Sequence, residues 1–197
     1  MYIKINPKKI LSAELALIVK SLKQGKVIIY PTDTIYGLGC LATDSKSIKK
    51  IKLIKKREQN KPFLVLVSSL YMAKKYCHIS KKQEIILRQV WTAARPTSVV
   101  LKHRNLLSGE LVPKNDGLAV RLPKSDFLRK IVRQAGAPIV STSFNISGEP
   151  VWNHVDFYAE KKLKKIDPEL IIDGGILKNR ASKLVDLRNG TIKIIRK

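Results

Sequence analysis

The chain has 197 residues, 39 of them Lys or Arg against 15 Asp or Glu, so its formal net charge is +24, and 44% of its residues are hydrophobic. That length and apolar content predict one domain over residues 1–197 with a sizeable core, and exclude a disordered basic tail. No run approaches the roughly 18 apolar residues of a membrane span, Met1–Asn6 has no secretory core, and Cys40 and Cys77 read as reduced cytoplasmic thiols rather than a disulfide scaffold.

Ser12 is placed to cap a helix running to Gln24, with Leu15, Ile18, Val19 and Leu22 on one face and Gly25 as its stop. Val27–Tyr30 reads as a buried strand ended by Pro31. Asp44 or Ser45 starts a second helix carrying Ile48, Ile51 and Ile54, and Phe63–Val67 is another buried strand. Ser80 and Gln83 have capping-box spacing and open a helix towards Trp91. Strands are expected at Ser98–Leu101 and Leu118–Arg121, then a helix from Ser125 to Gln134 closed by Gly136, then a strand at Pro138–Ser141. Ile171-Ile172, Leu184–Asp186 and Ile192–Ile195 supply short late strands. Apolar strands interleaved with helices predict an α/β domain, and the late hairpin-like pieces make its sheet mixed rather than purely parallel.

Four polar clusters stand at strand ends, where open α/β sheets place their ligands. Pro31–Gly39 packs two threonines, Asp33 and Tyr36 between a strand and two glycines, which allow close backbone approach to a ligand, although a capped turn accounts for part of it. Lys55-Lys56-Arg57 and Asn60-Lys61-Pro62 put cations at a helix C-terminus, ordinary dipole partners, yet run straight into a strand. Ser141–Pro150 holds more neutral hydrogen-bonding side chains than turn chemistry requires, and suits phosphate oxygens. It is not a Walker loop, since no Gly-Lys-Ser/Thr has the required spacing. Arg121 closes an apolar strand, either as a solvated edge or facing the same cleft. His78, His103 and His154 are dispersed, so no zinc site is assigned, and no Ser-His-Asp or Cys-His set suggests itself. Trp91 and Phe127 belong to the core. The Lys-rich charge is scattered along the chain and would serve a polynucleotide or a small phosphate-bearing ligand equally.

Taken in order, Pro31–Gly39, Lys55–Arg57 with Lys61-Pro62, Ala119–Pro123, Ser141–Pro150, Ala181–Asp186 and Ile195-Arg196 resemble the threonylcarbamoyl-AMP synthase family, built on the YrdC-type domain, in its short single-domain form. The resemblance implies a twisted mixed α/β sheet with helices on its faces and a concave basic pocket. It implies an enzyme, a nucleotidyltransferase that makes threonylcarbamoyl-AMP and pyrophosphate from L-threonine, bicarbonate and ATP, with Mg²⁺ carried on the ATP phosphates. This is the first step of threonylcarbamoyladenosine formation in tRNA, and implies downstream tRNA threonylcarbamoyl-transferase proteins as partners and a cytoplasmic location. The remaining basic charge reads either as compositional background or as a weak tRNA-attracting field.

By the same resemblance Lys55 and Arg57 form the family's Lys-x-Arg pair, and Ser143 and Asn145 its Ser-x-Asn pair, together the catalytic set. Thr34, Tyr36, Arg121, Ser141 and Ser182 fall on the threonine side. Arg57, Lys61, Ser143, Asn145 and Arg196 fall on the nucleotide side, with main-chain contacts at Gly117 and Val151. One departure is visible: the family's Trp-Pro-Gly-Pro stretch is Trp91-Thr92-Ala93-Ala94-Arg95-Pro96 here, so Arg95 either fills the pocket edge or reshapes the loop. The rival from another class is a non-catalytic module binding tRNA or double-stranded RNA. A nearer rival is adenylation of a different carbamate, as in hydrogenase-maturation proteins, whose additional domains this chain lacks.

Overall fold

A computed structural model describes residues 1–55, 63–111, 117–145, 153–155 and 167–197 of the chain. Arg57, Lys61 and Val151, together with Ile146–Pro150 of the hydroxyl-rich segment, lie outside the described residues. In chain order the first half contains β1 (Tyr2–Lys4), α1 (Ser12–Lys23), β2 (Ile28–Tyr30), β3 (Gly37–Gly39), α2 (Ser45–Lys55), β4 (Leu64–Leu66), α3 (Leu70–Tyr76) and α4 (Lys81–Thr92). The second half contains β5 (Thr97–Lys102), β6 (Gly117–Arg121), α5 (Asp126–Ala135), β7 (Ile139–Ser143), β8 (Leu170–Asp173), β9 (Lys183–Asp186) and β10 (Lys193–Arg196).

Helix ends follow local chemistry. Ser80 Oγ accepts the Gln83 amide while Gln83 Oε1 accepts the Ser80 amide, the reciprocal cap expected from their spacing. Ser125 caps α5, and Gly136 ends it at φ 77°, a left-handed conformation that a side chain would strain. Asp44 accepts from the amides of Lys46 and Ser47 at the start of α2. Helix α1 departs from expectation. Its cap position is Leu11, not Ser12, and the Leu11 amide donates to the Glu14 carboxylate at 2.8 Å. The first-turn glutamate satisfies the cap residue's own amide, the reverse half of a capping box.

Three elements had no sequence signal. Strand β1 is a short edge segment, held by parallel pairing to β8. Helix α3 is brief and capped by Ser69, whose Oγ accepts the Met72 amide. Strand β3 is Gly-Leu-Gly, a sequence with poor intrinsic strand preference. It exists because antiparallel neighbours on both sides, β2 and β7, take its backbone hydrogen bonds. Its Gly39 permits that pairing: a Cβ there would stand 2.1 Å from the Val140 carbonyl oxygen. This glycine therefore serves strand approach rather than the ligand approach read from the sequence.

The strands form one sheet in the order β1-β8-β2-β3-β7-β4-β6-β5-β9-β10. Parallel pairs (β1·β8, β2·β8, β4·β6, β5·β9) mix with antiparallel ones, and the late hairpin appears as β9·β10. Side chains alternate between faces along each strand. Val27, Ile29, Val65, Val99, Leu118, Val120, Val140 and Val185 point to one face, where Ile48 and Ile51 of α2, Ala73 of α3 and Leu87 and Trp91 of α4 cover them. Ile28, Tyr30, Leu66, Ile139, Leu170 and Ile172 point to the other face, under Leu15, Ile18 and Leu22 of α1 and Phe127 and Ile131 of α5.

Helices α1 and α5 do not extend over the whole second face. Beyond them Leu64, Ala119, Arg121, Ser98, Ser141, Ser143 and Leu184 of β4, β6, β5, β7 and β9, most of them small or polar, line a cavity instead of a helix contact. No helix among the described residues is long and apolar enough to cross a membrane.

Candidate active site

The uncovered part of the sheet encloses a cavity of about 310 Å³. Thr34, Tyr36, Arg121, Ser141, Ser143, Ser182 and Arg196 all line it, from chain segments as far apart as the β2–β3 loop and β10. Thr32, Ser98 and Gly37 line it as well. Lys55 and Asn145 stand behind Ser143, off the cavity wall, and Gly117 sits at the opposite end of β6 from Arg121.

At one end, hydrogen-bond directions are determined by proton count. Thr32 Oγ1 lies 2.6 Å from the Ile35 carbonyl oxygen, so its single proton goes there. Thr34 Oγ1, 2.9 Å away, must then donate to Thr32, and it accepts Nη1 of Arg121 at 3.2 Å. Thr34 therefore offers the cavity a remaining lone pair, which recognises a donor such as an ammonium or hydroxyl. Arg121 itself is only 2% exposed, against the solvated-edge reading of a strand-closing charge.

At the other end, Lys55 closes α2 with its ammonium buried. Nζ donates to the carbonyls of Ser143 (3.0 Å) and Asn145 (2.7 Å) and to Asn145 Oδ1 (2.6 Å). Ser143 Oγ donates to the same Oδ1 at 2.7 Å. Two donors converging on Oδ1 orient the Asn145 amide, and Ser143 turns lone pairs outward. In this arrangement Lys55 shapes the turn at the end of β7 and spreads positive charge behind it.

The third wall is the β8–β10 segment. Ser182 Oγ lies 2.9 Å from Ser98 Oγ, and Arg196 donates to the Ser182 carbonyl from Nε (3.2 Å) and Nη2 (2.8 Å). Burial, then the nearby charges of Arg121 and Arg95, push the Arg196 guanidinium below its usual pKa. Arg95 lines an adjoining cavity of about 550 Å³ with Asp33, Lys124, Asn179 and Arg180, and is not among the residues lining the main one. Like charges gathered around a concave surface favour an anionic ligand.

Tyr36 joins this wall to β3. Its hydroxyl accepts the Gly174 amide at 2.9 Å and lies 2.8 Å from the Gly175 carbonyl and 3.3 Å from Asp173 Oδ1. Burial raises the Asp173 carboxyl, but hydrogen bonds from Tyr2, the Gly175 amide and Tyr36, with the Lys4 charge, outweigh it and hold the group below the usual aspartate value. A depressed carboxyl contributes stability that is full above its unfolded pKa of about 4 and is lost as pH falls through the folded value. Asp173→Asn is therefore expected to remove part of the acid limb of the stability–pH curve below about pH 4, read by thermal melts across that range. An unchanged acid limb would show that Asp173 does not hold the wall.

Neither thiol takes part. Cys40 and Cys77 are buried, and burial pushes the Cys77 thiol up to about 12. Among the described residues no three His, Cys, Asp or Glu gather to hold a metal ion. Sequence reasoning missed Ser98 and Asp173 because each looks like an ordinary strand residue until a distant segment meets it. Asp33 was visible inside its motif, but nothing local showed its partner.

A family model, Sua5/YciO/YrdC, described as "Telomere recombination", matches residues 20–197. The chain belongs to the Sua5/YciO/YrdC family. It is 30% identical over 189 residues to a putative threonylcarbamoyl-AMP synthase of Methanocaldococcus jannaschii, covering 91% of this chain and 87% of that one. The structure of Pyrococcus abyssi Sua5 complexed with L-threonine superposes with a TM-score of 0.82 at 26% identity, over 95% of this chain and 54% of that one. Full-length HypF in its phosphate- and nucleotide-bound form gives 0.79 at 29% identity, over 93% of this chain and 28% of HypF. This Sua5/YciO/YrdC chain thus spans about half of one solved relative and over a quarter of another.

Proposed function

We propose that the protein is an L-threonylcarbamoyladenylate synthase, converting L-threonine, bicarbonate and ATP into threonylcarbamoyl-AMP, pyrophosphate and water. The observation that carries this reading is the convergence of Thr34, Arg121, Ser141, Ser143, Ser182 and Arg196 on one cavity at the open face of the sheet. Family membership supports it, as do relatives named for this product and one solved with L-threonine. The same membership favours an enzyme over a non-catalytic RNA-binding module.

The cavity has the parts such a reaction needs. Threonine nitrogen and bicarbonate carbon form a carbamate with loss of water; a carbamate oxygen then attacks the α-phosphorus of ATP, and pyrophosphate leaves. Little covalent chemistry falls to the protein, so positioning and charge neutralisation dominate. Arg121 takes the threonine carboxylate, Thr34 accepts from its amine or hydroxyl, and Ser141, Ser182 and Tyr36 complete that side. Ser143 and Asn145, organised by Lys55, and Arg196 serve the nucleotide side, with Arg57, Lys61, Gly117 and Val151 as further contacts. Mg²⁺ rides on the ATP phosphates, where the chain need supply no carboxylate cluster. Product passes to tRNA threonylcarbamoyl-transferase proteins in the cytoplasm, and the +24 surface gives weak attraction for tRNA.

The test is pyrophosphate release from ATP and bicarbonate with and without L-threonine. Threonine-dependent release is the expected result. Release that ignores threonine would favour adenylation of another carbamate. No release, with salt-sensitive duplex RNA binding, would favour the RNA module.

A further inference from the structure

We propose that Asp33 is a positioning residue for amino-acid binding, the buried counter-ion that holds the Arg121 guanidinium at its end of the cavity. This role rests on the threonine reading above. The two side chains are 8% and 3% exposed, and Nη2 of Arg121 stands 3.2 Å from Oδ1 of Asp33. A guanidinium removed from water needs a compensating charge. The nearby Arg196 guanidinium repels it. Asp33 is the carboxylate that pairs with it among the described residues.

Asp33 is itself held from separate directions. Its Oδ2 accepts the Lys124 amide at 2.9 Å, in the turn between β6 and α5. Its carbonyl accepts Asn179 Nδ2 at 3.1 Å, from the segment leading to β9. The carboxylate is thus a fixed charge, placed by the fold before any ligand arrives. Asp33 lines the adjoining cavity and Arg121 the main one, so the pair forms part of the wall between them. Asp33 acts through Arg121 and does not touch the amino acid.

The contact is one of charge rather than alignment. Oδ1 of Asp33 and Nε of Arg121 have no hydrogen-bond partner among the described residues, while Nη1 donates to Thr34. Asp33 therefore restrains the position of the guanidinium and leaves N–H donors uncommitted. A carboxylate that took a full bidentate bond would consume the donors on which carboxylate recognition depends.

The experiment is calorimetric binding of L-threonine and of ATP to the full chain with Asp33→Asn, Arg121→Gln and the double substitution. Asp33→Asn is expected to weaken L-threonine about tenfold, the weight of one displaced charged hydrogen bond. ATP affinity should stay within about twofold, and in the Arg121→Gln background the added loss should fall below about twofold, because the effect passes through Arg121. An unmoved threonine affinity, or a tenfold loss that persists without Arg121, would overturn the role. Should Asp33→Asn fail to fold, Asp33→Glu reads the same quantity by moving the charge one methylene. A weaker threonine affinity at constant ATP affinity supports the role, and unchanged threonine affinity overturns it. Absence of L-threonine binding by the unsubstituted protein would overturn both this role and the functional reading, whereas binding that ignores Asp33 overturns the role alone.

Discussion

Replacing Lys55 by methionine is expected to lower threonine-dependent pyrophosphate release on the order of 100-fold or more. Methionine keeps most of the stem's length and apolar packing but removes the ammonium. That ammonium donates to the Ser143 carbonyl, the Asn145 carbonyl and Asn145 Oδ1, at 3.0, 2.7 and 2.6 Å. Charge-assisted hydrogen bonds contribute roughly 1.5–3 kcal/mol each, so losing two at the lower end corresponds to on the order of 100-fold in rate. The loss should fall on turnover, since Lys55 organises the Ser143–Asn145 turn that faces the nucleotide side. Initial rates of pyrophosphate release, set beside the melting temperature, check this. Near-normal turnover in a folded Lys55→Met protein would place the chemistry away from the end of β7.

Arg121→Gln has the second large effect, and it reaches stability as well as binding. Glutamine leaves Asp33 as a buried carboxylate without its cation, and breaking a buried pair in this way costs roughly 3–5 kcal/mol. In a chain of this size each kcal/mol lowers the melting temperature by about 2–4 °C, so a fall of roughly 6–20 °C is expected. Threonine affinity should fall on the order of 100-fold, still measurable at high threonine concentration, because the guanidinium that meets its carboxylate is gone. The double substitution Asp33→Asn/Arg121→Gln separates the two effects. With both charges removed it should recover much of the melting temperature and none of the binding. Recovery of binding as well would mean that Arg121 serves only the fold.

The polar clusters and most of the elements were legible without coordinates. The Ser80–Gln83 cap, the Gly136 stop and the apolar runs of β2, β4, β5, β6 and β7 depend on residues within a few positions of one another. Where the reading failed, a non-local partner decided. Gly37–Gly39 is a strand because β2 and β7 flank it. Tyr2–Lys4 is a strand because β8, far along the chain, pairs with it. The site shows the same division: Thr34, Tyr36, Arg121, Ser141, Ser143, Ser182 and Arg196 were named from motifs and converge on one cavity.

The mechanical roles were not legible. Lys55 and Arg121 look alike on paper, two cations at the ends of secondary-structure elements. One is buried behind a turn with three acceptors, the other is held in a wall by Asp33. Which polar group faces which depends on strand order and on the face to which each side chain alternates. Both are set only when the whole sheet has assembled.

The sequence by itself determined the α/β class, the family and the residue types that gather at the strand ends, because these rest on periodicity, caps and motif order along the chain. Only the tertiary structure decided that α1 and α5 leave part of one sheet face open, and that Asp33 pairs with Arg121 there. Those contacts join residues far apart in sequence, whose energies exist only after the sheet has brought them together.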